Sequence, residues 1–489
     1  MSKEKIKEKS ILKNIAYNML SQIVALIVPL LTAPYIARVF NAELIGEYSY
    51  ALANSSYFVL FECLGFALYG QIKVAANRDD VKKTSLLFFE IMLAKIILSL
   101  ISIGIYVILI FHTDDILQKK LCIIMLINIL ANGLDVTWFL NGQEEFKKLA
   151  VRSVVVRLVN LISIYVFINS EKDLLLYAIL MQGATFFSYL ALYPVVVKYI
   201  VPIRLRDIRI LPHIKASFIY FVPGLVTTIF SSTDKTMLGI MTNSYEVGVY
   251  EEAGKISQIC MSAISALGNV IMPRASYLYH NGENAKQKAN QLVVVSFRAV
   301  LLIAVPCAFG VAAIAQEFVP FFFGKGYEKS ADILVILCFN VLVIAATNLL
   351  GQQCLIARQR QGEYNKAIVA SAIVNVVMNY FVIQYMQSIG AAIASVLASL
   401  VSFSIIVYMS RKEIELSLLF ESTWKCFIAG VIMAILVKVS TSIWYGTFKG
   451  IALHVIIGGL SYLIMLVCFR EKFLTLLFKM KSKEKGNVS

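Results

Sequence analysis

Long apolar segments follow one another along almost the whole of this 489-residue chain. A helix needs about 20 apolar residues to cross the hydrocarbon layer of a bilayer, and most of these segments reach that length. Charged residues make up 15% of the chain, against about 25% in a typical soluble protein, and they lie mainly between the apolar segments. We therefore predict an all-α polytopic membrane protein. The predicted spans, about fourteen in number, are residues 14–40, 44–68, 84–111, 117–140, 150–168, 173–199, 215–240, 246–278, 290–314, 331–356, 364–384, 389–410, 423–440 and 450–470.

Basic residues set the expected orientation of these spans. Most of the 45 Lys and Arg lie in segments that are cytoplasmic when the N-terminus is inside, which is the bias that the positive-inside rule describes. An even number of spans returns the basic C-terminal tail to the same side. We therefore expect both termini in the cytoplasm and an uncleaved first span. The net charge of +15 indicates topology and attraction to membrane lipids, and we expect no nucleic-acid partner.

Two segments about 200 residues apart nearly repeat each other. Residues 41–51 read Asn-Ala-Glu-Leu-Ile-Gly-Glu-Tyr-Ser-Tyr-Ala, and residues 243–253 read Asn-Ser-Tyr-Glu-Val-Gly-Val-Tyr-Glu-Glu-Ala. A second match pairs residues 146–160 with 364–379, so spans 1–6 resemble spans 7–12. Six is even, so both copies share one orientation and are related by an axis along the membrane normal, around a central cavity. We predict a six-helix lobe over 1–210, a second over 211–412, and two additional helices with a basic cytoplasmic tail over 413–489.

Polar side chains recur at helical spacing inside three of the spans. In span 7 they come at steps of three and four residues, which places them on one face of a helix. Such a face is costly against lipid, so it should meet protein or a water-filled cavity, although packing between helices is the commoner role of small hydroxyl residues. The residues of these stripes that we predict to contact substrate are Ser217, Tyr220, Thr227, Ser231, Asn18, Gln22, Gln258 and Asn269.

Charged residues inside the spans are costly, so each needs compensation or a function. Asp234 and Lys235 lie deep in span 7, where the first copy of the repeat has Thr32 and Ala33. Lys255 could simply pair with an acidic residue one turn away, and Lys95 and Arg157 could extend to the membrane surface. For Arg298, eight or so residues into its span, a cavity role is favoured. Glu62 and Asp135 are further charged residues within the predicted spans of the first lobe.

The eight cysteines and four histidines are scattered along the chain. No two cysteines have the spacing of metal ligands, and buried Cys is usually a small hydrophobic residue. We therefore expect no metal centre, no cofactor and no nucleophile–base pair.

The residues around the first repeat resemble a known family. Residues 29–40, Pro-Leu-Leu-Thr-Ala-Pro-Tyr-Ile-Ala-Arg-Val-Phe, and then 46–48, Gly-Glu-Tyr, resemble the first two helices of polysaccharide-transport membrane proteins. Residues 232–239, Ser-Thr-Asp-Lys-Thr-Met-Leu-Gly, with 246–250 and 272–274, are similar to the seventh and eighth helices of that family. These proteins are the O-antigen and capsule repeat-unit flippases (Wzx type) of the multidrug/oligosaccharidyl-lipid/polysaccharide exporter superfamily. The resemblance covers essentially the whole chain.

The resemblance implies two six-helix lobes around a central, often cationic cavity, with extra C-terminal helices. It implies that a polyprenyl-pyrophosphate-linked oligosaccharide moves from the cytoplasmic to the periplasmic or outer face of the bacterial cytoplasmic (inner) membrane. Our hypothesis for the mechanism is alternating access, in which the two lobes open the central cavity first to the cytoplasm and then outward. The pyrophosphate needs cations, and the sugar needs the hydroxyl and amide groups of the polar stripes. The cations that we predict to line the cavity are Lys235, Lys255, Arg298, Arg38, Lys95 and Arg157.

The source of energy is open at the level of sequence. No Gly-x-x-x-x-Gly-Lys-Ser/Thr motif occurs, so we expect no ATP-binding loop and no enzyme activity. A proton or sodium ion could be coupled to transport, and the candidate carboxyls are Asp234, Glu62 and Asp135. Polysaccharide polymerase machinery is a possible partner.

Three other functions stay open. A multidrug exporter of the same superfamily should have a net anionic cavity, whereas cations are at least as numerous within these spans. A lipid II flippase differs only in the sugar of its substrate. A membrane glycosyltransferase or polymerase would need a large extramembrane loop or catalytic carboxylates there, and the loops here are short.

Overall fold

The computed structural model describes residues 3–279, 283–411, 414–421, 423–444 and 446–469. Helices make up almost all of this part of the chain, and no strand occurs within it, so the prediction of an all-α protein is confirmed. The helices are α1 Lys3–Val39, α2 Ala42–Cys63, α3 Phe66–Ala76, α4 Val81–Phe111, α5 Ile116–Gly133, α6 Thr137–Gly142, α7 Phe146–Phe167, α8 Leu174–Leu190, α9 Tyr193–Val196, α10 Ile210–Thr228, α11 Asp234–Met241, α12 Ser244–Tyr279, α13 Glu283–Phe323, α14 Glu328–Leu350, α15 Gln361–Ser410, α16 Leu416–Phe420, α17 Thr423–Thr441 and α18 Phe448–Cys468.

Polar residues in the short connections fix where several helices begin. The Asn41 side chain accepts a hydrogen bond from the backbone N–H of Leu44 at 2.9 Å and caps α2. At α4 the carboxyl of Asp80 accepts from the N–H of Lys83 at 3.1 Å. That hydrogen bond holds the pKa of Asp80 below its ordinary value. Asp115 caps α5 in the same way, so each cap satisfies a backbone donor that the first turn of a helix leaves free.

Large apolar side chains are exposed along most of these helices. Phe111, Ile162 and Ile219 expose 73%, 62% and 74% of their surface, which would be costly in water. Eleven helical stretches are long and apolar enough to cross a membrane, or up to twelve if Ile210–Val222 and Gly224–Met241, bent by 50°, form one span. The class of polytopic membrane protein is confirmed for the described part of the chain, and the count of about fourteen spans stays a prediction.

One of these stretches, α15, contains two of the predicted spans. Gln387 interrupts it with a left-handed φ of 51°, and the chain turns back there. Side chains on the two sides of this turn bond to each other, since the Ser371 hydroxyl donates to the carbonyl oxygen of Ala398 at 2.5 Å and the Asn375 amide donates to Ser395 at 3.3 Å. The residues of α15 before and after Gln387 are therefore two antiparallel helices.

The chain divides into two compact units, Met1–Gly248 and Val249–Ser489. The first unit has an apolar core around Trp138, Phe139 and Phe66, and the second has cores around Phe297 and around Met433. The first unit includes α10 and α11, which the sequence assigns to the second lobe. The predicted lobes over 1–210 and 211–412, and the segment 413–489, stay predictions, because a division by compactness does not test a duplication.

The two copies of the repeat adopt the same local structure. Asn243 accepts a hydrogen bond from the N–H of Glu246 at 3.1 Å at the start of α12, as Asn41 does for α2. The two helices then cross at the repeated glycines. A Cβ on Gly46 would overlap the carbonyl oxygen of Ser244, and a Cβ on Gly248 would overlap that of Ala42. The contact is reciprocal, as a local twofold axis requires, while the symmetry of whole lobes stays a prediction.

Candidate functional site

Two of the helix breaks inside apolar stretches of the first unit lie close to charged residues of the predicted site. The first separates α2 from α3 at Leu64 and Gly65, both with left-handed φ values, of 36° and 77°. The second separates α5 from α6 at residues 134–136. Helix breaks release backbone groups from the helical ladder, and within a membrane these groups must find other partners. Broken helices are also typical of substrate and ion sites in transporters.

Side chains of three other segments satisfy the carbonyl groups at the second break. The Lys95 ammonium donates to the carbonyl oxygen of Asp135 at 2.8 Å, and the indole N–H of Trp138 donates to the same oxygen at 3.1 Å. The Tyr193 hydroxyl donates to the carbonyl oxygen of Leu134 at 3.0 Å. Lys95 is only 2% exposed. Its contact with the backbone accounts for a buried cation at this position, and its predicted role towards substrate stays a prediction.

A buried acidic residue lies next to this break. Glu62 is 0% exposed, and neither of its carboxylate oxygens has a hydrogen-bond partner within the described residues. Ser99 and Glu62 both approach Gly133, the last residue of α5, and Lys95 acts on the Glu62 carboxyl electrostatically. Unlike Glu62, Asp135 has hydrogen-bond partners for its carboxylate, which accepts from the backbone N–H and the hydroxyl of Thr137 at 2.8 and 2.9 Å. The structure thus brings Glu62, Lys95 and Asp135 together.

The predicted polar stripe of span 7 lies on a helix that is not straight. The pair Ile210–Val222 and Gly224–Met241 bends by 50°, and a π-helical turn, Ile229–Thr233, joins α10 to α11. The backbone of Tyr220 packs directly on Gly65, at the first helix break. π-helical turns and bends of this kind are frequent at functional sites, because they change the direction in which side chains point.

Contacts with α2 hold the segment that carries Asp234 and Lys235. The Tyr57 and Thr233 hydroxyls are 3.1 Å apart, and the Thr236 hydroxyl donates to the Asn54 side chain at 3.0 Å. Asp234 is 1% exposed, whereas Lys235 is half-buried. The carboxyl of this predicted pair is therefore enclosed by protein, whereas Lys235 is partly accessible.

The other predicted cations have contacts of different kinds. Arg157 donates to the carbonyl oxygen of Ser21 at 2.9 Å and so joins α7 to α1. Lys255 forms an ion pair with the buried Glu252 at 2.6 Å, three residues earlier on α12.

Arg298 contacts the segment before α17. Its guanidinium donates to the carbonyl oxygen of Leu418 at 3.0 Å and to the carboxylate of Glu421 at 3.2 Å. A role for Arg298 in a cavity stays a prediction.

The predicted stripe residues also differ in exposure. Ser217 is buried, and its hydroxyl donates to the carbonyl oxygen of Ile214 in its own helix at 3.0 Å. Tyr220 is half-buried against the ring of Tyr69. The side chains of Asn18 and Asn269 lie outside the described part of the structure. The predicted residues that are exposed are Arg38, Gln22, Thr227, Ser231 and Gln258.

A polar cluster that the sequence analysis missed joins the start of α10 to α3 and α4. His213 contacts the carboxylate of Glu90 through Nε2 at 2.7 Å and the Tyr69 hydroxyl through Nδ1 at 2.8 Å. The second oxygen of Glu90 accepts from the backbone N–H of Arg209 at 2.7 Å. Glu90 precedes Lys95 by five residues in an apolar helix, so a search for charges within spans could have found it.

Comparisons with known proteins agree with this architecture. The profile of a family described as polysaccharide biosynthesis protein matches residues 11–279. A putative O-antigen transporter of Escherichia coli (strain K12) is 22% identical over 395 residues, which cover 78% of this chain and 92% of that protein. A probable low-salt glycan biosynthesis flippase, Agl15, of Haloferax volcanii is 23% identical over 205 residues, which cover 42% of this chain and 43% of that protein.

A solved structure shares the fold. The lipid II flippase MurJ in an inward closed conformation superposes with a TM-score of 0.74 at 15% sequence identity, over 95% of this chain and 100% of that one. At this identity the likeness concerns the fold alone.

Proposed function

This chain belongs to the polysaccharide biosynthesis protein family, and from that premise we propose that it translocates polyprenyl-pyrophosphate-linked oligosaccharides across the cytoplasmic membrane for surface polysaccharide synthesis. The observation that carries the proposal is the agreement between two independent likenesses. The sequence resembles a putative O-antigen transporter along nearly the full length of that protein, and the fold is that of a lipid II flippase. Both of those proteins are named for the movement of glycan-carrying molecules.

The polar groups of the span-7 segment suit such a substrate. Thr227 and Ser231 are exposed, hydroxyl-bearing residues on a helix whose apolar side chains otherwise suit a bilayer. Hydroxyls of this kind donate to and accept from sugars. Lys235, one turn further on, offers an ammonium group for a pyrophosphate, and Lys is a common phosphate ligand. The polyprenyl chain stays in the bilayer while this head group crosses.

In the proposed mechanism the protein alternates between conformations open to one side and then to the other. The 50° bend and the π-helical turn give the α10–α11 segment places at which its direction can change. No bond is made or broken in this cycle, so we propose a transporter without catalytic activity. A proton or sodium ion would bind at Glu62, Asp135 or Asp234, whose carboxyls lie within membrane spans.

The test is export of surface polysaccharide in cells that depend on this protein. We expect Lys235→Ala to reduce export at normal protein levels and Lys235→Arg to retain most of it, because Arg keeps the charge. Lys215→Ala is the matched control, since Lys215 is exposed on α10, the preceding helical segment. Normal export in the Lys235→Ala strain would refute the role of this cation.

The fold leaves lipid II as a second candidate substrate, because the structural likeness to a lipid II flippase covers 95% of this chain. Depletion of the protein separates the two. Loss of surface polysaccharide in viable cells, with lipid-linked repeat units retained inside, supports the proposed substrate. Lysis with retained lipid II would contradict it.

A further inference from the structure

An apolar groove of about 370 Å³ lies in the second unit between α13, α14 and α17. Its volume is within the range of about 300–1,000 Å³ that is usual for ligand pockets. The small side chains of Ala312, Ala313 and Ala434 form part of its lining. Phe339 and Ile435 also line it and expose 37% and 57% of their surface.

The helices that form the groove define its surroundings. All three lie in stretches that are long and apolar enough to cross a membrane, Asn290–Phe323, Glu328–Arg358 and Ser417–Thr441. A groove on the exposed side of such helices opens towards lipid chains rather than towards water. Acyl chains are flexible and narrow, so they can fill a furrow between helices and gain the dispersion contacts that an empty furrow lacks.

Among the described residues that line the groove, one is charged. Lys438 is in the last turn of α17, and its side chain is exposed. Within the described residues its ammonium group makes no hydrogen bond and no ion pair. A Lys near the end of a membrane helix extends to the interface, where lipid phosphates lie. The groove therefore combines an apolar surface that can bind an acyl chain with a cation near the head-group region of the bilayer.

We propose that this groove binds an anionic phospholipid, with one acyl chain between α13, α14 and α17 and the phosphate on Lys438. The site is separate from the proposed substrate residues of α10 and α11, and it does not depend on the proposed function. A lipid held there would contact the helix that carries Phe309 and the helix that carries Lys438. It would therefore fix the packing of α17 against α13 in the membrane.

The test is lipid retention by the purified full-length protein in bilayer discs that contain equal amounts of phosphatidylglycerol and phosphatidylcholine, counted by native mass spectrometry. We expect phosphatidylglycerol to be retained about fivefold over phosphatidylcholine, the ratio that corresponds to about 1 kcal/mol per basic residue near a charged membrane surface. Lys438→Ala should abolish this preference, and Lys438→Arg should keep it. Ala434→Trp should lower retention of both lipids, because it fills the groove.

Lys449→Ala is the matched control, because Lys449 is exposed near the start of α18 and does not line the groove. A preference that survives Lys438→Ala, or that Lys449→Ala removes equally, would overturn the proposal. Thermal unfolding of each variant shows whether it is folded. If a folded Ala434→Trp variant retains as much phospholipid as the wild type, the groove is not the binding site of the acyl chain.

Discussion

The crossing of α2 and α12 at the repeated glycines gives a quantitative prediction for Gly46→Ala. A Cβ at this position would overlap the carbonyl oxygen of Ser244 and lie 2.9 Å from the backbone nitrogen of Gly248. Both neighbours are backbone atoms, so the clash cannot be relieved by a change of rotamer. Overpacking of this kind costs about 1–3 kcal/mol.

The same substitution also replaces a helical glycine by alanine. That replacement by itself stabilises the helix by up to about 1 kcal/mol, because alanine has the higher helix propensity. Gly104→Ala isolates that effect, because a Cβ at Gly104 in α4 meets nothing within 4 Å. The two variants should therefore differ by the cost of the clash, about 1–3 kcal/mol, or about 5- to 150-fold in the ratio of folded to unfolded protein.

Thermal unfolding in detergent can be followed with a thiol-reactive fluorophore, because Cys122, Cys338, Cys354 and Cys426 are buried and become accessible when the protein unfolds. We expect Gly104→Ala to unfold at or slightly above the wild-type temperature and Gly46→Ala to unfold below it. Combining Gly46→Ala with Gly248→Ala should cost less than the sum of the two, because both act on one contact. Unfolding of Gly46→Ala at or above the temperature of Gly104→Ala would refute the argument.

Three further substitutions test buried and exposed charges by the same unfolding assay. Lys95→Ala should destabilise the protein by about 1–3 kcal/mol, since it leaves the Asp135 carbonyl with one donor fewer. Glu317→Ala should cost about 1–3 kcal/mol, because it removes the buried carboxylate that accepts from the backbone N–H of Gly446 at 2.8 Å. Arg298→Ala should change stability by less than about 1 kcal/mol, because its acidic partner is 46% exposed.

For each of these three substitutions, a different outcome would contradict the stated reason. Wild-type stability of Lys95→Ala would mean that the helix break at residues 134–136 does not need this donor. Wild-type stability of Glu317→Ala would mean that the hydrogen bond from Gly446 contributes nothing. A large loss in Arg298→Ala would show that its contacts with α16 and Glu421 support the fold. If Arg298→Ala is stable but reduces export, the predicted role of Arg298 towards substrate gains support.

The polar stripe of span 7 stays a prediction, whereas the helical class is confirmed and α2 and α12 start alike, as the sequence patterns predicted. These features depend on periodicity and on capping residues such as Asn41 and Asn243, which act locally. The helix break at Gly65 was missed, because apolar side chains continue on both sides of it. In a membrane protein both the lipid-facing and the core-facing sides of a helix are apolar. The sequence therefore has little alternation of apolar and polar residues from which a helix break could be predicted.

In the candidate site, too, the features that depend on local sequence were predicted, and those that depend on contacts between distant segments were not. The spacing of polar residues correctly placed Asp234 and Lys235 in one helix. It could not predict that Asp234 is buried and Lys235 half-buried, because this depends on packing against α2. The cavity role of Lys95 stays a prediction, but no sequence pattern predicted the backbone partner that the structure gives it forty residues away in sequence. The turn at Gln387 was expected between two spans, but nothing in a single Gln predicts its left-handed φ of 51°.

The most direct test of the proposed function is translocation by the purified protein in lipid vesicles. The substrate is a polyprenyl-pyrophosphate-linked oligosaccharide, and the measured quantity is the fraction that a glycosidase added outside can cleave. We predict that this fraction rises from about half towards completion in vesicles that contain the protein, and that it rises more slowly with Lys235→Ala. A fraction that stays the same as in protein-free vesicles, with folded protein and with any coupling-ion gradient supplied, would contradict the proposed function.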